Sequence, residues 1–487
     1  MSAQEIKFPE GKGLYYGGGW NEPRHKKNTE IFSPSTGERL TTIQEASEAD
    51  VPAVVAAARA GFEIWRDVAP IKRAALLRRL AVVVRSNARE LALLDALDCG
   101  SPVSELLIDV EMTAILLEYF AGLITEMKGS SVPAGPDTVT FSVREPCGVV
   151  LRIAPFNHPF VFAVGKAASA LAAGNAVIVK PAEQAPLSAL RGAELFEGIL
   201  PPGVFNVVAG GRDFGAALVA DPGVAMIAFI GSISSGKAVM RSASDRLKRV
   251  VLELGGKNAL IAFPDSSPDK VAAAMIAGMN FAWCGQSCGS TSRAFVHADI
   301  YDAVIERLAL HAGKFKPGLP TDPKTTMGAL IDRKQLDRVN TYIEAGKAEG
   351  ARLVYGGKAP PDAALKNGCF LEPTIFADVT MDMRIAREEI FGPILSVLRW
   401  SDEADMLRQV NQLDYGLTCA VWTRDVAKAH RLASRVEAGV CWINDVGRHS
   451  LGSPFGGYKQ SGFGREECLE ELLAFTQEKN IFINLNN

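Results

Sequence analysis

The chain has 487 residues, 48% hydrophobic and 22% charged, enough for about three domains at the usual ~150 residues each. Its 52 Lys and Arg against 55 Asp and Glu give a net charge of −3 with no dense run of either sign, which argues against nucleic acid or an anionic membrane as the main partner. The first residues lack the apolar core of a signal peptide, and the most apolar stretch, 149–179, is interrupted by Arg152, His158 and Lys166. Neither export nor a membrane span is therefore expected, and the cytoplasm is the expected location. Eight scattered cysteines fit reduced thiols better than a disulfide framework. Cys284 and Cys288 lack the further paired ligands that zinc needs, so no metal is expected.

Residues 47–97 read as two amphipathic helices, with Ser47 and Asp50 matching a capping box and Leu76, Leu77, Leu80 and Val84 at helical spacing before a stop near Gly100. Residues 128–147 read as extended. From 148 onward, short apolar runs alternate with helical segments. Strands are expected at 148–153, 176–180, 204–208 and 225–230, and helices at 160–173, 185–199, 214–220 and 234–246. Such alternation builds a parallel sheet with helices on both faces, which binds nucleotides at the carboxyl ends of its strands. A second α/β block begins near 250. Its helices are expected at 270–282, 301–315 and 332–348, with strands at 292–297, 394–399, 418–423 and 440–444. Residues 481–485 read as a short terminal strand.

No GxGxxG fingerprint follows a strand. The stretch Gly231-Ser232-Ile233-Ser234-Ser235-Gly236-Lys237-Ala238 comes one residue short of a phosphate-binding P-loop, because Ala238 stands where a magnesium-holding hydroxyl is needed. A P-loop-like nucleotide-binding protein is thus the reading from another class, and an ordinary strand–helix turn is the bland one. Cys288, in Gly285-Gln286-Ser287-Cys288, sits in a small polar loop, as an accessible thiolate requires. Glu253 ends an apolar strand before two glycines, where a raised pKa suits a general base. Asn157 lies in Pro155-Phe156-Asn157-His158-Pro159 and offers an amide for an oxyanion. Thiol, carboxylate and amide together are what covalent oxidation of an aldehyde needs.

Together with Val179-Lys180-Pro181-Ala182-Glu183, Glu253-Leu254-Gly255-Gly256-Lys257, Arg387-Glu388-Glu389-Ile390-Phe391-Gly392-Pro393 and the run from Ser453 to Glu466, these motifs resemble the aldehyde dehydrogenase superfamily over nearly the whole chain. The resemblance implies an α/β fold with a Rossmann-type cofactor domain (1–127 and 147–252), an α/β catalytic domain (253–465) and a small oligomerisation sheet (128–146 and 466–487). It implies a homodimer or homotetramer, with a small-molecule aldehyde as substrate. Cys288 is the implied nucleophile, Glu253 the base and Asn157 the oxyanion donor, with Lys166 and Glu466 either a proton relay or a plain ion pair. NAD is the implied cofactor, held by Ile153, Ala154, Phe156, Lys180, Glu183, Phe229, Gly231, Ser232, Leu254, Glu389 and Phe391. Glu183 favours NAD over NADP because like charge repels a 2′-phosphate. Phe455 is an implied substrate contact, and Trp283 stands where the family often has Asn; with Phe156 and Phe281 they suggest an aromatic tunnel for an aryl aldehyde or, through cation–π contacts, betaine aldehyde, the alternative being that they pack in the core. The second enzyme reading is a coenzyme A-acylating dehydrogenase, against which Glu253 argues.

Overall fold

In the computed structural model, which describes residues 6–486, the strands Arg249–Leu254, Val224–Gly231, Val149–Ile153, Ala176–Lys180 and Phe205–Val208 lie parallel in that order. Leu14–Tyr16 and Gly19–Asn21 extend one side and Gly462–Phe463 the other, making eight strands. Successive residues of a strand feed opposite cores, as a period of two dictates. Val149 and Leu151 pack with Val54, Leu218 and Val239, whereas Val150 packs with Leu80, Leu117 and Leu190.

The second sheet has seven strands in the order Arg352–Tyr355, Thr374–Ala377, Ile394–Trp400, Arg293–His297, Ala259–Ala262, Thr418–Trp422 and Val440–Ile443, all parallel except the first. A separate antiparallel sheet joins Thr476–Asn484, Thr138–Pro146 and Ser131–Val132. The fold is α/β, with a Rossmann-type sheet, a second α/β domain and a small separate sheet. Among the described residues no helix is long and apolar enough to cross a membrane.

Several expected boundaries shift for local reasons. The region read as two helices forms three, Val51–Trp65, Pro70–Ser86 and Ala88–Cys99, because the Asn87 amide donates to the Val83 carbonyl (2.8 Å) and ends the middle one. The expected 160–173 helix is broken into Pro159–Ala163, a 3₁₀ turn at Gly165–Ala167 and Ala168–Ala172. The turn lets Lys166 reach away from its own helix toward Glu466. The helix Val103–Leu123 has no counterpart in the sequence reading; its apolar residues run almost all round it, so no amphipathic stripe marks it. The strand Arg249–Leu254 of the first sheet carries Glu253 one residue before its end. The terminal strand is longer than 481–485 because its polar half, 477–480, also pairs with the strand Thr138–Pro146.

Candidate active site

Register places the expected cofactor residues along one edge. Phe229 lies opposite Ile153, Ile153 opposite Lys180, Ile230 opposite Glu253 and Gly231 opposite Leu254. This is the carboxyl edge of the first sheet. Loops entering the amino ends of the second sheet face it: Gly255 to Asn258 leads into Ala259, the Cys288 loop into Arg293, and Glu389 to Pro393 into Ile394. Between the two lies a cavity of about 180 Å³ lined by Asn157, Ser232, Glu253, Cys288, Glu389 and Phe391, among others. A larger cavity of about 240 Å³, at Tyr15, Phe196 and Phe205, lies on other elements and touches none of these residues.

Cys288 opens onto this cavity, and protein surrounds it on its other sides. That burial, with the carboxylates of Glu253, Glu389 and Glu466 adding, pushes its thiol up to about 12. Asn258 anchors the loop: its amide donates to the Cys288 carbonyl (2.7 Å) and the Ser290 carbonyl (3.0 Å) and accepts from the Thr418 N–H (3.0 Å). The Asn157 amide donates one hydrogen to the Gln286 carbonyl (2.9 Å), which fixes it beside the Cys288 loop, and an amide has a second hydrogen to donate. Cys284 is fully buried in the second core, and burial raises its thiol far above the ordinary range.

Glu253 is buried, and neither carboxylate oxygen has a hydrogen-bond partner. Burial, then the nearby Glu466, hold its carboxyl well above the usual range, a state in which a carboxyl serves as a proton acceptor near neutrality. It fits because Gly456 has no side chain: a Cβ there lies 2.9 Å from Glu253 Oε1. The short strand Gly462–Phe463 pairs with Leu252 and Glu253 and delivers Glu466 to the same place. Glu466 meets Lys166 at 2.9 Å and Arg152 at 3.4 Å, all three buried. Burial works against charge at Glu466, but Lys166 and Arg152 outweigh it and hold the carboxylate below its ordinary value.

Glu389 lies against the Gly255–Gly256 backbone, with its Oε1 accepting the Gly256 N–H (3.0 Å). A Cβ at Gly255 falls 2.0 Å from Glu389 Oε2, so the first glycine of the pair is required by this contact. Burial pushes the Glu389 carboxyl up to about 6. Phe391 holds a left-handed backbone (φ 57°) and meets Phe156 edge-on at 5.7 Å. Ser232 caps the helix Ile233–Ser244, accepting the Ser235 N–H (3.2 Å), so this helix start faces the sheet edge. Helix begins at Ile233, which puts Gly236 and Lys237 inside it, and Lys237 donates to Gln460 (2.6 Å). No P-loop forms around them, which corrects that alternative. At the far end, Lys180 is buried and donates to the Pro181 carbonyl (3.3 Å), and burial lowers its amine against the pull of Glu183 and Glu45. Glu183 itself is exposed. The lining of the cavity starts at Pro155: Ala154 packs in the core and gives its N–H to the Lys180 carbonyl (3.0 Å), and Ile153 packs into the opposite core.

These positions fit NAD. A helix start at the sheet edge suits a diphosphate, a carboxylate held by a backbone amide suits a ribose, and the cavity leads from both to Cys288. The aromatic tunnel fares differently. Phe281 is fully buried against Phe315, away from the cavity lining. Trp283 stacks on His158 at 4.9 Å, and His158 Nδ1 meets Asp109 at 2.7 Å. Phe455 exchanges backbone hydrogen bonds with Glu466 and stacks on His449 at 4.7 Å. The sequence reading missed Arg152, Asn258, Glu45, Gln335 and Arg338; the last two line the cavity, and Arg338 donates to the Glu389 carbonyl (2.7 Å).

Lys257 closes the ELGGK run and is buried with no partner for its Nζ. Burial, with Arg293 adding, pushes its amine down to about 7 from an ordinary 10.5. Between these values the unfolded chain binds the extra proton, so this group makes stability rise with pH across that window. Lys257→Met should therefore raise the apparent melting temperature at pH 7, by the equivalent of about 1–3 kcal/mol for a relieved buried polar group. Thermal unfolding at pH 7 and pH 10 checks this, and the gain should shrink at the higher pH.

The profile described as "Aldehyde dehydrogenase family" matches residues 20–481. The chain is 49% identical to the aldehyde dehydrogenase tropH of Talaromyces stipitatus, over 99% of this chain and 95% of that one. It superposes on the NAD+ complex of a Bacillus cereus aldehyde dehydrogenase with a TM-score of 0.94 at 38% identity, covering 98% of each chain. The indole-3-acetaldehyde dehydrogenase AldA of P. syringae, in complex with NAD+ and IAA, gives 0.96 at 37% identity over 99% and 98% of the two chains. The chain belongs to the aldehyde dehydrogenase family.

Proposed function

We propose that the protein oxidises an aldehyde to its carboxylic acid with NAD, through a thiohemiacetal and a thioester on Cys288. The observation that carries this is the meeting of Cys288, Asn157 and Glu253 on one cavity that also reaches Glu389, Phe391 and Ser232. The Cys288 sulfur bonds to the carbonyl carbon, and the oxyanion takes hydrogen bonds from the Asn157 amide and the Cys288 N–H. Hydride then leaves the tetrahedral carbon. Bound NAD, which Lys180, Ser232 and Glu389 would hold, would supply the hydride acceptor, and its positive charge would lower the cost of ionising the Cys288 thiol. Glu253 takes a proton from water as the water oxygen bonds to the thioester carbon, and the C–S bond breaks to free the acid.

In this reading Lys166 and Glu466 relay protons from Glu253. Residues 1–127 with 147–252 bind NAD, 253–465 carry the chemistry, and 128–146 with 466–487 join subunits of a cytoplasmic homodimer or homotetramer. The exposed Val132, Val139, Phe482 and Ile483 of the small sheet support the last point. Phe156 and Phe162, which line the cavity, favour an aldehyde with an aromatic or quaternary ammonium group.

The test is a panel of aldehydes with NAD and NADP, read as absorbance of the reduced nicotinamide. Acidic groups surround Lys180: Glu183 and Glu45 act on it, and Lys27, bonded to Glu45 at 2.8 Å, also feels Asp213. A 2′-phosphate meets this negative field, so kcat/KM should be at least about tenfold higher with NAD, the equivalent of ~1.4 kcal/mol. A higher value with NADP overturns the ribose assignment, and turnover that requires coenzyme A overturns the hydrolytic mechanism.

A further inference from the structure

Beyond Glu466, the buried charges continue outward in a line. Lys166 Nζ lies 2.9 Å from Glu466 Oε2 and 3.1 Å from Glu467 Oε1. Glu467 Oε2 in turn lies 3.0 Å from His449 Nδ1. Side-chain exposure rises along this line from 4% at Glu466 and Lys166 to 14% at Glu467 and 41% at His449. At the inner end stands Glu253, whose oxygens have no partner and whose strongest charged neighbour is Glu466. At the outer end stands an imidazole, the side chain best suited to exchange protons with water at neutral pH.

We propose that Glu467 and His449 are the outlet for the proton that each hydrolysis leaves on Glu253. This rests on the hydrolytic reading above. Breaking the thioester uses one water, whose oxygen joins the acyl carbon and whose proton goes to Glu253. Glu253 must lose that proton before the next turnover. It passes through a water to Glu466; Lys166 takes it as it gives one of its own hydrogens to Glu467, and Glu467 hands a proton to His449, which releases it to solvent. No electrons move, and each group ends as it began.

The surroundings suit a concerted transfer. Lys166 is faced by Glu466, Glu467 and Glu471; burial lowers its amine, but the three carboxylates outweigh burial and raise it. Glu467 is held down to about 2 by Lys166 and His449 against burial, and its own N–H goes to Glu471 Oε2 (2.6 Å). Arg152 faces Glu466, Arg465 acts on Glu253, and the neighbouring Arg448 pairs with Asp445 instead (3.6 Å). Resting charges are thus fixed as ion pairs, so a proton entering at one end leaves at the other without being stored on Glu467.

The experiment compares His449→Gln and Glu467→Gln with wild type in dilute buffer, following decay of the acyl-enzyme in single turnover and the burst of reduced cofactor. The expected result is acyl-enzyme decay slowed about tenfold or more, a larger solvent isotope effect, unchanged burst rate and KM, and recovery on adding imidazole. Unchanged decay in His449→Gln overturns the outlet, as does a loss with raised KM and no rescue, which marks a substrate-lining or structural role. His449 is exposed, so its variant decides the matter if Glu467→Gln fails to fold. A wild type that does not hydrolyse its acyl-enzyme overturns the hydrolytic reading itself.

Discussion

Cys288→Ala should abolish aldehyde oxidation, a loss on the order of 10⁴-fold or more, because no other thiol opens onto the cavity. NAD binding should survive, since Lys180 and Ser232 lie at the edge of the first sheet and Glu389 is held by the Gly256 backbone rather than by the thiol. Isothermal calorimetry with NAD and steady-state assays read the two properties separately. Cys284→Ala is the matched control. Its sulfur is buried in the second core, so the substitution should cost about 1 kcal/mol of stability and leave most activity. The reverse pattern places the nucleophile one turn too late in the chain.

Glu253→Gln should lower steady-state turnover by about 10²–10⁴-fold, the usual cost of losing a general base. The substitution keeps the shape of a side chain whose two oxygens bond to nothing, so folding should be unaffected. Cys288 and Asn157 stay in place, so a burst of reduced cofactor near one equivalent per site should precede slow turnover. If Glu253 also deprotonates the Cys288 thiol, which stands at about 12, the burst itself slows. Stopped-flow absorbance distinguishes the two. Unchanged turnover removes Glu253 from the mechanism.

The first sheet was legible because its strands are short apolar runs with both faces buried, separated by helices that end at glycines such as Gly174. The Ala259–Ala262 strand was not, because an apolar run of only four residues, Ala-Leu-Ile-Ala, carries no period that marks it as strand. The Val103–Leu123 helix was missed through uniform apolarity, and the strands from Leu14 to Gln44 through shortness and mixed burial.

Cys288, Glu253 and Asn157 were singled out by resemblance, and their meeting on one cavity depends on contacts no local pattern encodes. Arg152, His158 and Lys166 all interrupt an apolar stretch of the sequence, and of the three only Lys166 was also given a role, by resemblance, beside Glu466. Each is buried or nearly so and has a distant carboxylate partner: Glu466 for Arg152 and Lys166, Asp109 for His158. A charge inside an apolar run was therefore a signal of a buried partner rather than of an interrupted membrane span. Asn258 carried no such mark. Its role follows from the close approach of two loops, and its amide reads as an ordinary polar residue before a strand.

The central claim is a covalent acyl group on Cys288 that water removes with the help of Glu253. Peptide mass spectrometry of Glu253→Gln, quenched in acid after mixing with NAD and a substrate aldehyde found in the panel, tests it directly. The account predicts that the peptide containing Cys288 gains the mass of the acyl group, that Cys284 stays unmodified, and that the adduct depends on NAD. A full burst of reduced cofactor with no adduct, or an adduct on another cysteine, would contradict it.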